Sequence, residues 1–354
     1  MTVPADWSAG ELTGLRYRCL EDCGFCCTFT AEVSPPELAT LRSKFPTLPV
    51  ARSSDMTLLG LQGGCGACTL LSAERRCTAY DERPAHCRYF PFHVYFGRRT
   101  EVYVNRCCRG VEVDPVGDLQ AEYDAQVGSL VPAFRIRKEQ ERAATVLRAF
   151  ERNAKAAGAW GDVDAEIARL LRRGATWFTP PAWPPTPTGE DVEAGSAAEA
   201  WQVALAAFQA ADAVARPYHL AADLRWLGFQ ANGDRIVAQT LGDDGTLTTL
   251  RDLGTFADWP DLPGPVRDGL AGVMSRLATR DLLAGSIFHL VDDTDYAITV
   301  ADAAEIRFAD LAAGLAIRAD ILHRLGIAWE QVPAEAERFY DSAFLDHPTI
   351  GGWL

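Results

Sequence analysis

The spacing of apolar residues predicts helices in most of the chain after residue 118. Within 119–174 apolar residues recur every three or four positions, at Val146, Leu147, Phe150, Ile167, Leu170 and Leu171. The same spacing returns within 197–229, at Trp201, Leu205, Phe208 and Ala211. It continues from residue 263 to the end and includes a helix over 312–325. The second part of the chain is therefore predicted to be mostly α-helical.

Other patterns predict shorter elements. A helix is expected after Ser34, a typical N-cap residue followed by two prolines that suit a first turn. A short helical turn opened by Pro84 would carry Cys87. Alternating apolar residues within 93–104 predict a strand pair around residues 97–98, and residues 234–252 predict a β-hairpin with a glycine-rich turn.

These elements predict an α+β protein with four parts. Residues 1–118 would form an irregular, loop-rich cysteine and metal domain, followed by a helical segment over 119–175. Residues 176–198 contain five prolines and are typical of a linker. Residues 199–354 would form a mostly helical C-terminal domain with a small β-hairpin.

All ten cysteines of the chain lie between residues 19 and 108, and the following 246 residues contain none. Short Cys-x2-Cys and Cys-x3-Cys loops bring thiolates round one cation or cluster, so each cysteine is a candidate metal ligand. Seven rank first because they lie in ordered motif blocks: Cys19, Cys23, Cys26, Cys27, Cys68, Cys77 and Cys87. Three rank below them: Cys65, Cys107 and Cys108.

The adjacent pairs Cys26-Cys27 and Cys107-Cys108 carry a further prediction. Neighbouring side chains point in different directions along a regular backbone. One cysteine of each pair is therefore expected to serve a different site or to be a buried residue that binds nothing. His86 and His93 lie near Cys87 and could ligate a metal or donate a hydrogen bond to a ligand. A packed histidine is the commoner role, because the cysteines alone suffice for a site.

Composition and charge narrow the function classes. The chain has 354 residues and is 48% apolar, which is ordinary for a globular protein. It shows neither a signal-peptide pattern nor an apolar run of membrane-spanning length, so a cytoplasmic protein without membrane contact is expected. In that compartment dense cysteine indicates metal or redox chemistry, whereas five disulfides would be unusual.

The net charge of −14 divides unevenly, since residues 15–110 carry thirteen basic and nine acidic side chains. The remainder is strongly acidic, which argues against a nucleic-acid partner. Eight arginines lie close to cysteines in the sequence and could keep thiolates charged or offset a cluster's negative charge. They are Arg16, Arg18, Arg75, Arg76, Arg83, Arg88, Arg106 and Arg109.

Three blocks within 19–92 resemble the YkgJ-type cysteine cluster family, a zinc- or iron-chelating domain named for a CxxCxxCC pattern. The blocks are Cys23-Gly-Phe-Cys26-Cys27, Cys68-Thr-Leu-Leu leading to Cys77-Thr-Ala-Tyr80, and Arg83-Pro84-Ala-His-Cys87-Arg88-Tyr-Phe90-Pro91-Phe92. The family includes iron–sulfur proteins and flagellin lysine N-methylases. The resemblance implies one or two 4Fe–4S clusters, with zinc as the alternative. It departs at Cys19, which is separated from Cys23 by three residues.

That departure creates a second resemblance. Cys19-Leu-Glu-Asp-Cys23-Gly-Phe25-Cys26 fits the radical S-adenosylmethionine signature CxxxCxΦC. The resemblance implies a cluster on Cys19, Cys23 and Cys26 within a βα barrel. One short pattern is weak evidence, and the chain shows no repeated strand–helix alternation.

Three function classes follow. The first is an iron–sulfur enzyme of oxidoreductase or lysine N-methyltransferase type, with S-adenosylmethionine as candidate co-substrate and a protein as candidate substrate. It predicts a pocket beside the cysteines and a thiolate near solvent. The second is a zinc-binding interaction module with closed four-ligand sites and no cleft. The third is a metal-handling protein with exposed thiolates.

Overall fold

The computed structural model describes residues 7–8, 12, 15–53, 56–113, 133–179, 201–203, 205–206, 217–256, 258–343 and 350–352. Its fold is α+β, as predicted. The α-helices are α1 Pro35–Lys44, α2 Ala85–Tyr89, α3 Ala133–Ala157, α4 Val163–Leu171, α5 Gly264–Ala278, α6 Asp281–Asp293, α7 Val300–Arg324 and α8 Val332–Ser342. The strands are β1 Trp7–Ser8, β2 Leu15–Tyr17, β3 Val50–Ser53, β4 Met56–Leu59, β5 Phe92–Phe96, β6 Thr100–Val104, β7 Val111–Val113, β8 Tyr218–His219, β9 Trp226–Asn232, β10 Arg235–Leu241, β11 Leu247–Thr255 and β12 Ile350–Gly352.

The predicted elements of the cysteine region are confirmed. Helix α1 begins after Ser34, whose side chain and backbone form a capping box with Glu37. Helix α2 follows Pro84 and carries Cys87. Strands β5 and β6 form an antiparallel pair in which Phe92 lies opposite Val104, and β1 and β12 extend that sheet by parallel pairing. This part of the chain is thus small sheets and short helices joined by long loops.

A second sheet has the strand order β11-β10-β9-β8. It contains the predicted hairpin but is larger, because β9 and β8 pair beyond β10. The prediction that residues 197–229 are largely helical is therefore wrong for β8 and the start of β9. Trp226, Leu227 and Phe229 are buried in β9, and such aromatic-rich sequence fits a strand once a neighbouring hairpin offers pairing partners.

The predicted helices of the C-terminal half, by which we mean the described residues from 133 onwards, pack around α7. Its residues from Leu311 to Leu322 are all buried, which is typical of a helix surrounded by other elements. Helices α4, α5, α6 and α8 contribute to the same apolar core, together with Trp201 and Leu205. Residues 119–132 and 180–200, which include most of the predicted linker, lie outside the described residues.

The cysteine region and the C-terminal half share buried contacts. Trp226 of β9 and Leu241 of β10 belong to the apolar cluster that contains Phe25 and Cys68. Arg98, between β5 and β6, donates to Asp281 at the start of α6 at 2.7 Å. The four-part division of the chain stays a prediction. Among the described helices, none combines the length and apolar character needed to cross a membrane.

Candidate metal centre

Six cysteines line one cavity of about 390 Å³ in the cysteine region. They are Cys19, Cys26, Cys27, Cys68, Cys77 and Cys87. Apolar side chains, among them Phe29 and Leu70, form much of the remaining wall, and three arginines complete it: Arg75, Arg76 and Arg83. All six belong to the group that the motif blocks ranked first, so their proximity follows the predicted pattern.

A tight turn places two of these cysteines. Gly24 has φ +58°, a left-handed conformation that favours glycine, and a Cβ there would meet Leu71 and Trp226 at 3.2 Å. The 3-10 turn Phe25–Thr28 follows it and carries Cys26 and Cys27. The backbone N–H of Cys68 donates to the carbonyl of Cys27 at 2.7 Å, which ties two cysteine loops together.

For the Cys26-Cys27 pair, a different site for one cysteine stays a prediction, but both side chains line the cavity. The reason is local: a 3-10 turn does not alternate its side chains as a strand does. A hydrogen bond between the two side chains, with Cys26 as the acceptor, lowers the pKa of Cys26 and raises that of Cys27.

Burial keeps most of the other thiols protonated. It raises the pKa of Cys68 to about 11 and that of Cys23 to about 12. Burial also raises the pKa of Cys77 and Cys87, and negative charge on Cys26 adds to the shift in both. The side chains therefore lie close enough for one thiolate to disfavour another, which is the condition that a bound cation relieves.

Arg83 supplies the opposing charge at the cavity. Its guanidinium lies 3.7 Å from the centre of the Tyr80 ring, and its Nε donates to the Tyr80 carbonyl at 2.9 Å. Its positive charge acts to lower the pKa of Cys26, Cys77 and Cys87. Tyr80 is 49% exposed, so this arginine stands at the side of the cavity that faces solvent.

Two cysteines lie apart from the cavity. Cys65 is exposed, and its Sγ is 4.0 Å from the carbonyl oxygen of Gly245 in the β10–β11 turn. Cys107 is buried, and its backbone N–H is held by the side chain of Asn105 at 3.0 Å. Burial raises the pKa of Cys107, and Cys108 is the one cysteine whose charge adds to that shift.

Cys23 and Cys108 form a second group next to Cys26. Neither is among the residues that line the cavity, yet burial and then the charge of Cys23 raise the pKa of Cys108, and Cys26 adds to the same shift. In the pair Cys107-Cys108 the two cysteines thus have different surroundings, and different roles for them stay a prediction.

His219 is a candidate that sequence reasoning missed. Its Nδ1 lies 3.9 Å from the Sγ of Cys23, although 196 residues separate the two in the chain. Burial, and then the charge of Arg109, lowers the pKa of His219 to about 3, so its imidazole is neutral. No spacing signal could have found it, since it comes from β8 and reaches the cysteines only through tertiary packing.

The two histidines named from the sequence are packed. The ring of His86 lies 5.4 Å from that of Phe29, and burial lowers its pKa to about 4. The ring of His93 stacks on Tyr103 at 5.0 Å. Neither lines the cysteine cavity.

The donor set fits a thiophilic metal. All ten cysteines are free, so none is withheld in a disulfide. Soft thiolate ligands suit zinc and iron–sulfur clusters, and both require deprotonated sulfur. Among the residues with described positions, no three His, Cys, Asp or Glu side chains stand in the arrangement that would hold an ion. Binding would therefore require the thiol side chains to turn towards a common centre.

Comparison with protein families decides the class of the cysteine region. Residues 18–114, which are 97 of the 354 residues, match the family model described as "CxxCxxCC: Putative zinc- or iron-chelating domain". This region is a CxxCxxCC domain. The match confirms the cysteine cluster resemblance and supports metal binding by the CxxCxxCC domain. Neither the curated proteins nor the solved structures gave a match to the chain.

Proposed function

We propose that the CxxCxxCC domain holds an iron–sulfur cluster in its cysteine cavity and that the protein is an enzyme. The cavity carries this proposal. Six cysteines around about 390 Å³ exceed what one zinc ion needs, because a structural zinc is closed by four ligands. A water molecule occupies about 30 Å³ of liquid, so the cavity is many times larger than a single ion requires. A cluster would fill such a space.

Four cysteines of the cavity are the proposed ligands: Cys27, Cys68, Cys77 and Cys87. Burial and the charges of Cys26, Cys68 and Cys77 raise the pKa of both Cys27 and Cys87, so these side chains act on one another. Four thiolates complete one cubane cluster. The charge of Cys26 acts both on this group and on Cys108, and a second cluster would be placed at Cys23 and Cys108.

Access from solvent to the cysteine cavity supports the proposal that the protein is an enzyme. Cys19 is exposed and lines the same cavity as the buried Cys68, so a path leads from solvent to the thiols. Arg75 and Arg76 of the wall pair with Asp243 and Glu21, respectively. Arg83 brings a positive charge that would offset a negatively charged cluster or bind an anionic part of a substrate. Redox chemistry, or methyl transfer from S-adenosylmethionine to a protein lysine, is the reaction class that the family resemblance suggests. A reducing, cytoplasmic location would suit ten free cysteines.

A zinc-binding structural module is the second candidate. It is favoured by the buried ion pairs that fix the cysteine region to the C-terminal half, such as Arg109 with Glu335 at 2.6 Å. A module of that kind would stabilise an interaction surface without catalysis. The radical S-adenosylmethionine alternative has less support. Cys19 and Cys26 line the cavity but Cys23 does not, and the pairings among described strands are mainly antiparallel.

Anaerobic purification followed by measurement of iron, acid-labile sulfide and zinc per chain tests the proposal. Iron matched by sulfide, with visible absorption, is expected, and four irons per chain would indicate one cubane. Cys68→Ser should lose most of this iron, whereas Cys65→Ser, which alters a cysteine outside the cavity, should keep it. Stoichiometric zinc without sulfide in a colourless protein would refute the cluster and favour the structural module.

A further inference from the structure

His219 and Cys23 are each held in place by other residues. The His219 ring stacks on Phe25 with centroids 4.8 Å apart and planes 12° from parallel. Its backbone carbonyl accepts from Arg109 Nε at 2.9 Å, and β8 pairs His219 with Trp226 of β9. The indole N–H of Trp226 donates in turn to the carbonyl of Cys23 at 3.1 Å. The contact between the ring and the sulfur is therefore fixed from both sides.

The chemistry of a metal-bound cysteine decides which atom donates. A coordinating cysteine is a thiolate, so its sulfur has no proton and can only accept a hydrogen bond. Nδ1 of His219, 3.9 Å from that sulfur, must then carry the hydrogen. His219 is 2% exposed, and its Nε2 is buried with no hydrogen-bond partner among the described residues.

We propose that Cys23 ligates the second cluster, beside Cys108, and that His219 Nδ1–H donates a hydrogen bond to its thiolate, so that the C-terminal half tunes the reduction potential of that cluster. This inference rests on the proposed function and goes beyond it. A donor to a ligand sulfur withdraws electron density and stabilises the more negative, reduced state. Loss of the donor should therefore make reduction harder. His219 is a positioning residue here, since it acts through Cys23.

The amides of asparagine and glutamine give a matched test. In place of histidine, the asparagine amide nitrogen reaches the position of Nδ1, whereas the glutamine amide nitrogen reaches that of Nε2. In anaerobically purified protein, His219→Gln should keep its iron and sulfide. In His219→Gln the ratio of reduced to oxidised cluster should fall about tenfold at a given applied potential. This corresponds to a reduction potential about 59 mV more negative for a one-electron step. His219→Asn should stay near wild type, as should His289→Asn, which alters an exposed histidine of α6.

Several results would overturn the inference. One is an equal shift in His219→Asn and His219→Gln, or a shift in neither. Another is strong nitrogen hyperfine coupling in the wild type that both variants lose, since this would make His219 a ligand and not a donor. If His219→Gln does not fold, His219→Leu, which also lacks a donor, takes its place.

A failure of the proposed function would give a different result from a failure of this inference. If the wild type holds zinc without sulfide, cobalt-substituted protein tests the hydrogen bond alone. His219→Gln should then move the sulfur-to-cobalt charge-transfer band to lower energy, because the sulfur regains electron density, and His219→Asn should not. An unchanged band in His219→Gln would refute the hydrogen bond even with a metal bound.

Discussion

Asp341 of α8 makes the most deeply buried ion pair among the described residues, with Arg280 of the same half of the chain. Its Oδ1 accepts from Arg280 at 2.8 Å, and the side chains of Arg280 and Asp341 are only 4% and 1% exposed. Oδ2 accepts from the backbone N–H of Arg106 at 2.8 Å, one residue before Cys107. Asp341→Asn would keep the size and an acceptor for Arg106 but remove the carboxylate charge that faces the Arg280 guanidinium.

The expected loss of stability is large. Breaking a buried pair by removing one charge costs about 3–5 kcal/mol, because the remaining charge stays desolvated. In a unit of 150–250 residues, 1 kcal/mol shifts the unfolding temperature by about 2–4 °C. Asp341→Asn should therefore unfold on the order of 6–20 °C below wild type, measured by circular dichroism on heating.

Two further variants decide whether the reasoning is right. Asp252→Asn makes the same change in an exposed pair, in which the side chains of Arg235 and Asp252 are 52% and 49% exposed, and should leave the unfolding temperature close to that of wild type. Arg280→Met combined with Asp341→Asn also removes the buried Arg280 charge and should recover much of the loss. If the double variant is as unstable as the sum of the single changes, or if Asp341→Asn matches Asp252→Asn, burial of charge is not the cause.

Three other predictions concern the metal centre. Because burial raises the pKa of the Cys68 thiol to about 11, that thiol is protonated at neutral pH without metal. Metal binding should therefore release about one proton per thiolate and become stronger as pH rises. Calorimetry in buffers of different ionisation enthalpy measures this release, and finding none would contradict the prediction. Cys77→Ala should lower the bound metal per chain severalfold, whereas Cys107→Ala should leave it unchanged, because Cys77 lines the cavity and Cys107 does not. Equal metal content in the two variants by elemental analysis would refute the assignment. Arg83→Gln should make the reduction potential of a bound cluster more negative, since a positive charge beside the thiolates is lost, and a redox titration with no shift would contradict that role.

Part of the site followed from local sequence. The motif blocks ranked seven cysteines first, and all of these except Cys23 line one cavity, where short turns and α2 carry several of them. Helix α1 was also predictable, since its cap and first turn are encoded within four residues. These features depend on contacts over short distances in the chain, which spacing and turn chemistry describe well.

The remaining features depend on packing between distant segments. Cys65 has the spacing of a ligand to Cys68, but the backbone N–H of Ala67 donates to Asp243 at 2.7 Å and docks this loop on the β10–β11 turn, which leaves Cys65 at the surface. The position of His219 beside Cys23 requires β8 to pair with β9, in a stretch whose apolar spacing had indicated a helix. The spacing of apolar residues carries no information on whether a segment pairs with a strand elsewhere in the chain.

Helix α8 links the position of Cys108 to the C-terminal half. Three acidic residues of α8 accept from the segment before β7: Glu335 from Arg109, Glu337 from Arg106 at 3.4 Å, and Asp341 from the backbone of Arg106. Arg338, on the same helix, donates to the carbonyls of Arg106, Cys108 and Val111 at 2.8–3.0 Å.

Buried ion pairs of this kind add little net stability compared with apolar packing, but they permit few alternative arrangements. We infer that their role here is to fix where Cys108 lies relative to Cys23 and His219. A C-terminal half that served only as a cover would not need charged contacts on both sides of one cysteine. The helical half is therefore part of the metal centre's framework, and its chemistry should be studied in the full chain.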